Sequence, residues 1–464
     1  MRQAMRSRHY DVIVVGAGSA GVAAALAAAD NGARTLLLES GPMVGGELIS
    51  GLPIDGALNA RGEWIVGGVK REMLDASDAL GGYGGPVFDW RLNWGVCFDP
   101  EIFKVVLIEA LARRGVTTLL YTLAQDVITA DGRVTGIIAA NKNGRTLLTA
   151  TTFIDCSGDG DVAIAAGASY EQGGAGGETQ PVSLVFRQGN VDYARFLQFQ
   201  RDNPEQFMLA ENPVIDKSPA ECAAAVADAG LPFSVIDARG SLLGGAMQDG
   251  RMYQTTAVYM WPTSLQRKEV GLNTTRLAGI DATNVDALSD ALSTLTTQVR
   301  QCESFLRSEV PGFEDSHLVA VAPRVGIRET RRVVGEYELS TEDVLDGVKS
   351  EHGIAKGAHH VDLHGAGRAQ HRVPVRDGRS YDIPYQSLIP QGLANVLVAG
   401  RCFSSSREAN GSARVMGPCM AMGQAAGSAA ALMVSRGWLD ARQVPTDRLR
   451  ETIRSQGGVV DGTN

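Results

Sequence analysis

The strongest constraint on this chain lies in its first forty residues. An apolar run at 11–15 ends in Gly16, Gly18 and Gly21, spaced G-x-G-x-x-G, and an Ala-rich stretch follows from Ser19 to Asn31. Gly32 stands where a helix C-cap belongs, residues 34–38 are again strand-like, and Glu39 ends them. Strand, tight turn, helix, strand and acid in that order predict a parallel βαβ unit that binds a dinucleotide. Gly16 permits the turn, Gly18 lets backbone approach a pyrophosphate, and Gly21 lets helix and strand pack closely. The helix start at Ser19 offers free N–H groups and a positive dipole end to phosphate. Glu39 is placed to accept hydrogen bonds from ribose hydroxyls and disfavours a 2′-phosphate. The fingerprint alone does not choose between NAD and FAD.

The rest of the 464 residues is long enough for two or three domains. Lys and Arg number 43 against 52 Asp and Glu, a net charge of -9 that argues against a nucleic-acid partner or an anionic membrane surface. The basic start followed by an apolar run resembles a targeting segment, but spaced glycines interrupt the run and a second strand follows it. The expectation is a soluble cytoplasmic protein without a membrane partner. The six cysteines are scattered and form no C-x-x-C, which excludes zinc-ribbon and thioredoxin-type readings and fits a reducing compartment.

Asp99 and Pro100 predict the start of a helix running to about Arg114. Strands at 117–121, 125–129, 134–140 and 145–154, punctuated by Asp131-Gly132 and Asn143-Gly144, read as a β-meander. Asp159 and Asp161 are candidate caps for a helix at 162–167. Beyond a Gly cluster at 173–177 the nucleotide-fold rhythm stops, with a strand at 181–186 and a long helix at 284–310, and it resumes with a buried strand at 396–399, Gly400-Arg401 and a small-residue helix at 418–435. The predicted fold class is α/β: a Rossmann-like dinucleotide-binding domain with a β-meander and an inserted α+β substrate domain. The predicted division is 1–172 and 380–464 for the nucleotide domain and 173–379 for the substrate or cap domain.

Residues 40–46, SGPMVGG, resemble the stretch after the acidic residue in FAD-binding proteins of the glutathione-reductase-like superfamily. So do FDPE at 98–101, DCSGDGD at 155–161, RETRR at 328–332, GEY at 335–337, VDLHG at 361–365, IPY at 383–385 and the segment 398–427. Together they are similar to the FAD-dependent oxidoreductase family of that superfamily. The resemblance implies FAD and redox chemistry. It puts Ser40, Gly45, Gly46, Gly158 and Asp159 beside the cofactor, with Gly400, Arg401, Arg414, Gly417 and Gly423 from the C-terminal strand–loop–helix. That helix start would face the flavin C2 carbonyl and N1. The chain departs from the family pattern at Gln386 and Arg407, where a basic residue and a His are expected.

With a flavin carrying the electrons, the protein must position a substrate C–H near N5 and manage one proton. His364 is the first candidate base, because histidine titrates near working pH. Tyr385 is the second. Arg328, Arg331 and Arg407 are candidates for a substrate anion, since guanidinium forks match carboxylates. Cys402 and Cys419 lack a nearby second Cys, so buried structural thiols are expected rather than a disulfide reductase; a covalent flavin link is the lesser alternative. The expected function is hydride transfer from a small polar organic substrate to flavin N5, with His364 or Tyr385 as proton acceptor and an unidentified electron acceptor, oxygen or another. The alternatives are a monooxygenase using NAD(P)H and oxygen, and a flavoprotein in which FAD is structural or the task is RNA modification.

Overall fold

The computed structural model describes residues 6–365 and 370–462; the first five residues of the basic N-terminal stretch lie outside this range. Arg6–Val15 is the hub of the main sheet. It pairs in parallel with Thr35–Leu38 on one side and Gly144–Asp155 on the other, while Thr117–Leu119 extends the sheet beyond Thr35–Leu38. The hub begins five residues before its apolar run because Gly144–Asp155 pairs along its whole length, from Arg6 opposite Thr146 to Val15 opposite Asp155. The other edge of Gly144–Asp155 is shared. Its first half pairs antiparallel with Arg133–Asn141 of the meander, and residues 153–155 pair in parallel with Val396–Val398. The late strand thus returns to the middle of the N-terminal sheet. The parallel strands end together at Val15, Leu38, Leu119, Asp155 and Val398, and a ligand crevice forms outside such carboxyl ends.

Two helices of small residues seal one face. Ser19–Asp30 and Met416–Arg436 are buried over most of their length and pack on each other. Cβ atoms at Gly423 and Gly427 would overlap the Ala20 and Ala24 carbonyl oxygens, so glycine at these positions sets the helix spacing.

A second core forms around an antiparallel sheet ordered Ser234–Asp237, Ala257–Ser264, Glu269–Asn273, Phe186–Gly189, His317–Val321. The helix Val285–Glu309 buries Ala291, Leu295, Val299, Cys302 and Leu306 against it, one stripe at helical spacing. The first part of the predicted 181–186 strand makes only isolated bridges, Val182 to Leu277 and Ser183 to Gly326. The chain rejoins the first core at Val333, well before residue 379. Arg331–Val333 pairs with Tyr170–Gln172, and Leu339, Ile354 and Ile383 are buried with the nucleotide-domain side chains. Arg187 joins the two cores. Its guanidinium, almost wholly buried, meets Glu269 at 2.9 Å and Glu101 of the helix Pro100–Arg113 at 2.5 Å.

Candidate active site

A cavity of about 430 Å³ runs from the carboxyl ends of the parallel strands to the second sheet. Gly16, Gly18, Ser19, Glu39, Ser40 and Gly46 line its first end. Gly16 has φ +92°, and a Cβ there would overlap the Cys156 carbonyl. A Cβ at Gly21 would overlap the Gly16 carbonyl, whereas Gly18 faces open space. The turn is therefore closed against protein at Gly16 and Gly21 and open toward the cavity at Gly18. Glu39 takes the Ala17 N–H on one oxygen at 2.8 Å and the Gly41 N–H on the other at 2.7 Å, which holds the carboxylate at the rim. Gly45 does not line the cavity; its N–H donates to the Ala17 carbonyl at 2.7 Å and folds the loop so that Gly46 does. The helices Ser19–Asp30 and Met416–Arg436 both start without a side-chain cap, and both starts reach this cavity.

Gly158, Asp159, Gly400 and Arg401 form the adjoining wall. Arg401 donates to the Gly158 carbonyl at 2.9 Å and the Ile327 carbonyl at 2.6 Å, and pairs with Asp159 at 2.7 Å. Against burial, Arg401 holds the Asp159 carboxyl below its ordinary range. Neither Asp159 nor Asp161 caps the short helix Asp161–Ala165. Asp155, fully buried at the strand end, accepts from the Val162 and Ala163 N–H groups at 2.7 and 3.0 Å. Gly417 and Gly423 lie outside the lining and act in packing: a Cβ at Gly417 would stand 2.7 Å from the Asp55 carbonyl oxygen.

The far end of the cavity gathers His359, His360, Asp362, His364, Arg328 and Arg414, with Phe233, Tyr259 and Trp261 as an aromatic wall. His364 Nε2 lies 2.9 Å from Asp362 Oδ2, and its Nδ1 lies 3.3 Å from Arg276 Nη1. Arginine only donates, so Nδ1 is the acceptor and Nε2–H donates to Asp362. Burial pushes His364 down to about 4, against the opposing pull of Asp362, and the ring is neutral at pH 7. Burial would raise the Asp362 carboxyl, but His364 holds it well below its usual range. His359 and His360, which sequence alone suggests are an ordinary loop, are buried and stacked with centroids 4.0 Å apart. Asp55 also lines the cavity, and burial pushes its carboxyl up to about 8.

Three of the expected catalytic and anion-binding residues sit elsewhere. Tyr385 is fully buried outside the cavity, its hydroxyl donating to the Ala441 carbonyl at 3.1 Å, because the turn Tyr385–Leu388 points it into the core. Arg331 is held by Asp161 at 2.6 Å. Arg407 is held by Glu329 at 2.9 Å and by Glu178. Neither arginine lines the cavity, because acidic neighbours draw both away from it. All six cysteines are buried free thiols, and burial pushes Cys419 up to about 12. One signal for the missed residues stood in the sequence: His360, Asp362 and His364 alternate, so a strand presents them on one face. Nothing local marks Asp55.

The model of the FAD dependent oxidoreductase family matches residues 11–453. The chain belongs to this family. FAD is its cofactor, and the protein is an oxidoreductase. The cradle fits that group: an open Gly18, a fixed acid at Glu39 and two uncapped helix starts face one cavity. Among curated relatives, the tRNA uridine 5-carboxymethylaminomethyl modification enzyme MnmG of Streptococcus pyogenes serotype M4 (strain MGAS10750) is 30% identical over 149 residues. That match covers 29% of this chain and only 22% of the relative. Among solved structures, a geranylgeranyl bacteriochlorophyll reductase-like protein from Thermoplasma acidophilum aligns with TM-score 0.49 and 12% identity, over 97% of this chain and 84% of that one. The p-nitrophenol 4-monooxygenase of Pseudomonas putida DLL-E4 aligns with TM-score 0.46 and 11% identity, over 97% and 85% of the two chains. No helix among the described residues is long and apolar enough to cross a membrane.

Proposed function

We propose that this family member oxidises a small polar organic substrate by hydride transfer, with His364 as proton acceptor. Bound FAD supplies the two-electron acceptor. The start of Ser19–Asp30 would hold the pyrophosphate, Glu39 the ribose, and the start of Met416–Arg436 the polar edge of the flavin ring. In the substrate, a C–H bond breaks and its hydrogen leaves with the electron pair as a hydride, which bound FAD would accept. The neighbouring O–H or N–H proton moves to His364 Nδ1, and a C=O or C=N bond forms. Asp362 keeps the His364 ring in the tautomer that exposes an Nδ1 lone pair and offsets the charge that the ring gains. A substrate hydroxyl takes the place of the long contact from Arg276 at 3.3 Å.

The observation that carries this reading is the His364–Asp362 pair at 2.9 Å in the same cavity as the dinucleotide fingerprint. Tyr385, buried elsewhere, leaves the role to His364. The test is anaerobic photometry of the FAD-loaded protein with pools of alcohols, amines and hydroxy acids and, separately, NADH and NADPH. Bleaching by an organic substrate and not by nicotinamide supports the reading, and readmitted air then separates an oxidase from a dehydrogenase. Rapid bleaching by NADPH, with oxygen from air appearing in a product, would replace it with the monooxygenase.

A further inference from the structure

Charges at the far end of the cavity do not balance within the protein. Most charged side chains near it have a partner: Arg401 pairs with Asp159, Arg324 with Glu47 at 3.4 Å, and Arg91 with Glu211 at 2.8 Å. Asp89 takes the N–H groups of Arg91, Leu92 and Asn93 on a single oxygen. Burial, with Asp89 and Asp362 nearby, pushes the Asp55 carboxyl up to about 8. Arg328 and Arg414 differ. Among the described residues neither has a carboxylate within 4.0 Å. Arg328 donates to the Pro181 carbonyl at 3.0 Å and Ser183 Oγ at 2.9 Å, which orient the group without neutralising it. Among the described residues, the Arg414 guanidinium makes only long contacts, 3.4 Å to Gln180 Oε1 and 3.3 Å to the Asp362 carbonyl, and its buried Nε has no acceptor. The opposing charge that acts most on both is Asp362, whose partners His364 and Gln370 are neutral at pH 7, and one carboxylate does not balance two guanidiniums.

Two half-buried guanidiniums that share one carboxylate leave positive charge facing the cavity, and a bound anion completes them. A second unfilled group points the same way. His360 lines the cavity, is 7% exposed, and its Nδ1 has no hydrogen-bond partner among the described residues. The phosphates of the cofactor would find their own donors at the fingerprint, where the helix start and Arg324 meet over Gly46. Phe233, Tyr259 and Trp261 line the same cavity as the arginines.

From this we infer that the substrate carries a carboxylate, clamped by Arg328 and Arg414 beside His364, with an apolar body against Phe233 and Trp261. The inference rests on the hydride-transfer reading for the word substrate, but the clamp itself is a binding site that stands apart from turnover. It corrects the anion candidates of the sequence: Arg328 keeps the role, Arg331 and Arg407 lose it, and Arg414 serves the substrate as well as the cofactor edge.

The test titrates the FAD-loaded protein anaerobically with benzoate and with benzamide, following the perturbation of the flavin absorption bands. Benzoate is expected to bind at least about tenfold more tightly than benzamide, and Arg328→Gln to remove that preference. Arg328→Lys, which keeps the charge but not the fork, should restore part of it. The flavin content of each variant is read from the same spectra, so a variant that fails to fold shows itself. Equal affinity for acid and amide, no binding of benzoate, or unchanged preference in Arg328→Gln would overturn the clamp. The two readings fail separately. If an uncharged alcohol or amine reduces the flavin as fast as the acid of the same skeleton, the clamp falls and hydride transfer stands. If no organic donor reduces the flavin while benzoate still binds through Arg328, hydride transfer falls and the clamp stands.

Discussion

Asp55 shows how burial decides the chemistry of a single group. Its carboxyl lies at the cavity edge, with Asn93 Nδ2 at 3.4 Å, and burial, reinforced by Asp89 and Asp362, pushes it up to about 8. The unfolded chain releases this proton near 3.8, and the folded chain keeps it to about 8. Between those values unfolding releases a proton, so rising pH favours the unfolded state. Asp55→Asn removes the titration and keeps the shape. The urea midpoint of the variant should therefore gain on the wild type as pH rises from 5 to 8, and a constant difference would contradict the assignment. At this scale sequence is informative only where spacing or chemistry is local. The glycines of the fingerprint and Glu39 could be placed because the turn and the carboxylate's hydrogen bonds form within short local segments. Tyr385 and Arg407 could not, because their partners, Ala441, Glu329 and Glu178, arrive from elsewhere in the chain.

Among the elements, the packing of Ser19–Asp30 on Met416–Arg436 links fold and site most directly, since both helices start at the cavity. Gly423 faces the backbone of Ala20, which cannot move aside as a side chain would. Gly423→Ala should cost about 1–3 kcal/mol by chemical denaturation and should weaken FAD retention together with stability, because the two helix starts spread. Loss of stability with FAD affinity unchanged would show that the helix spacing does not govern the cradle. Both helices were legible because small residues, flanking strands and glycines all agree in those segments. The meander was legible through Asp131-Gly132 and the alternation around it. The capping of Asp161–Ala165 was misread for a physical reason. The cap normally precedes the first turn directly, but here Asp155 reaches it from the end of the adjacent strand.

The whole molecule depends on two cores meeting over one cavity, and Arg187 stands at the seam. Removing it leaves Glu269, which is nearly wholly buried, with Arg267 as its remaining cationic partner. Arg187→Ala is expected to lower stability by about 3 kcal/mol, read by urea denaturation of the FAD-loaded protein. A change under about 0.5 kcal/mol, as at an exposed pair, would mean that the seam is held by apolar contact alone. The limits of the second core were the least legible part of the fold. Residues 331–379 read as part of the insertion because they lack the βαβ rhythm, but Val333, Leu339, Val344, Ile354 and Val375 are buried in the first core. No local pattern announces which of two cores an irregular segment joins.

The central claim is that one cavity brings together FAD, a small substrate and a proton acceptor at His364. The most direct measurement is the rate of anaerobic flavin reduction by the best organic substrate, compared between wild type, His364→Gln and Tyr385→Phe. The expected result is a fall of about 10²–10⁴-fold in His364→Gln with FAD still bound, and a rate within about twofold of wild type in Tyr385→Phe. Retention of the wild-type rate in His364→Gln, or the large loss appearing in Tyr385→Phe instead, would contradict it.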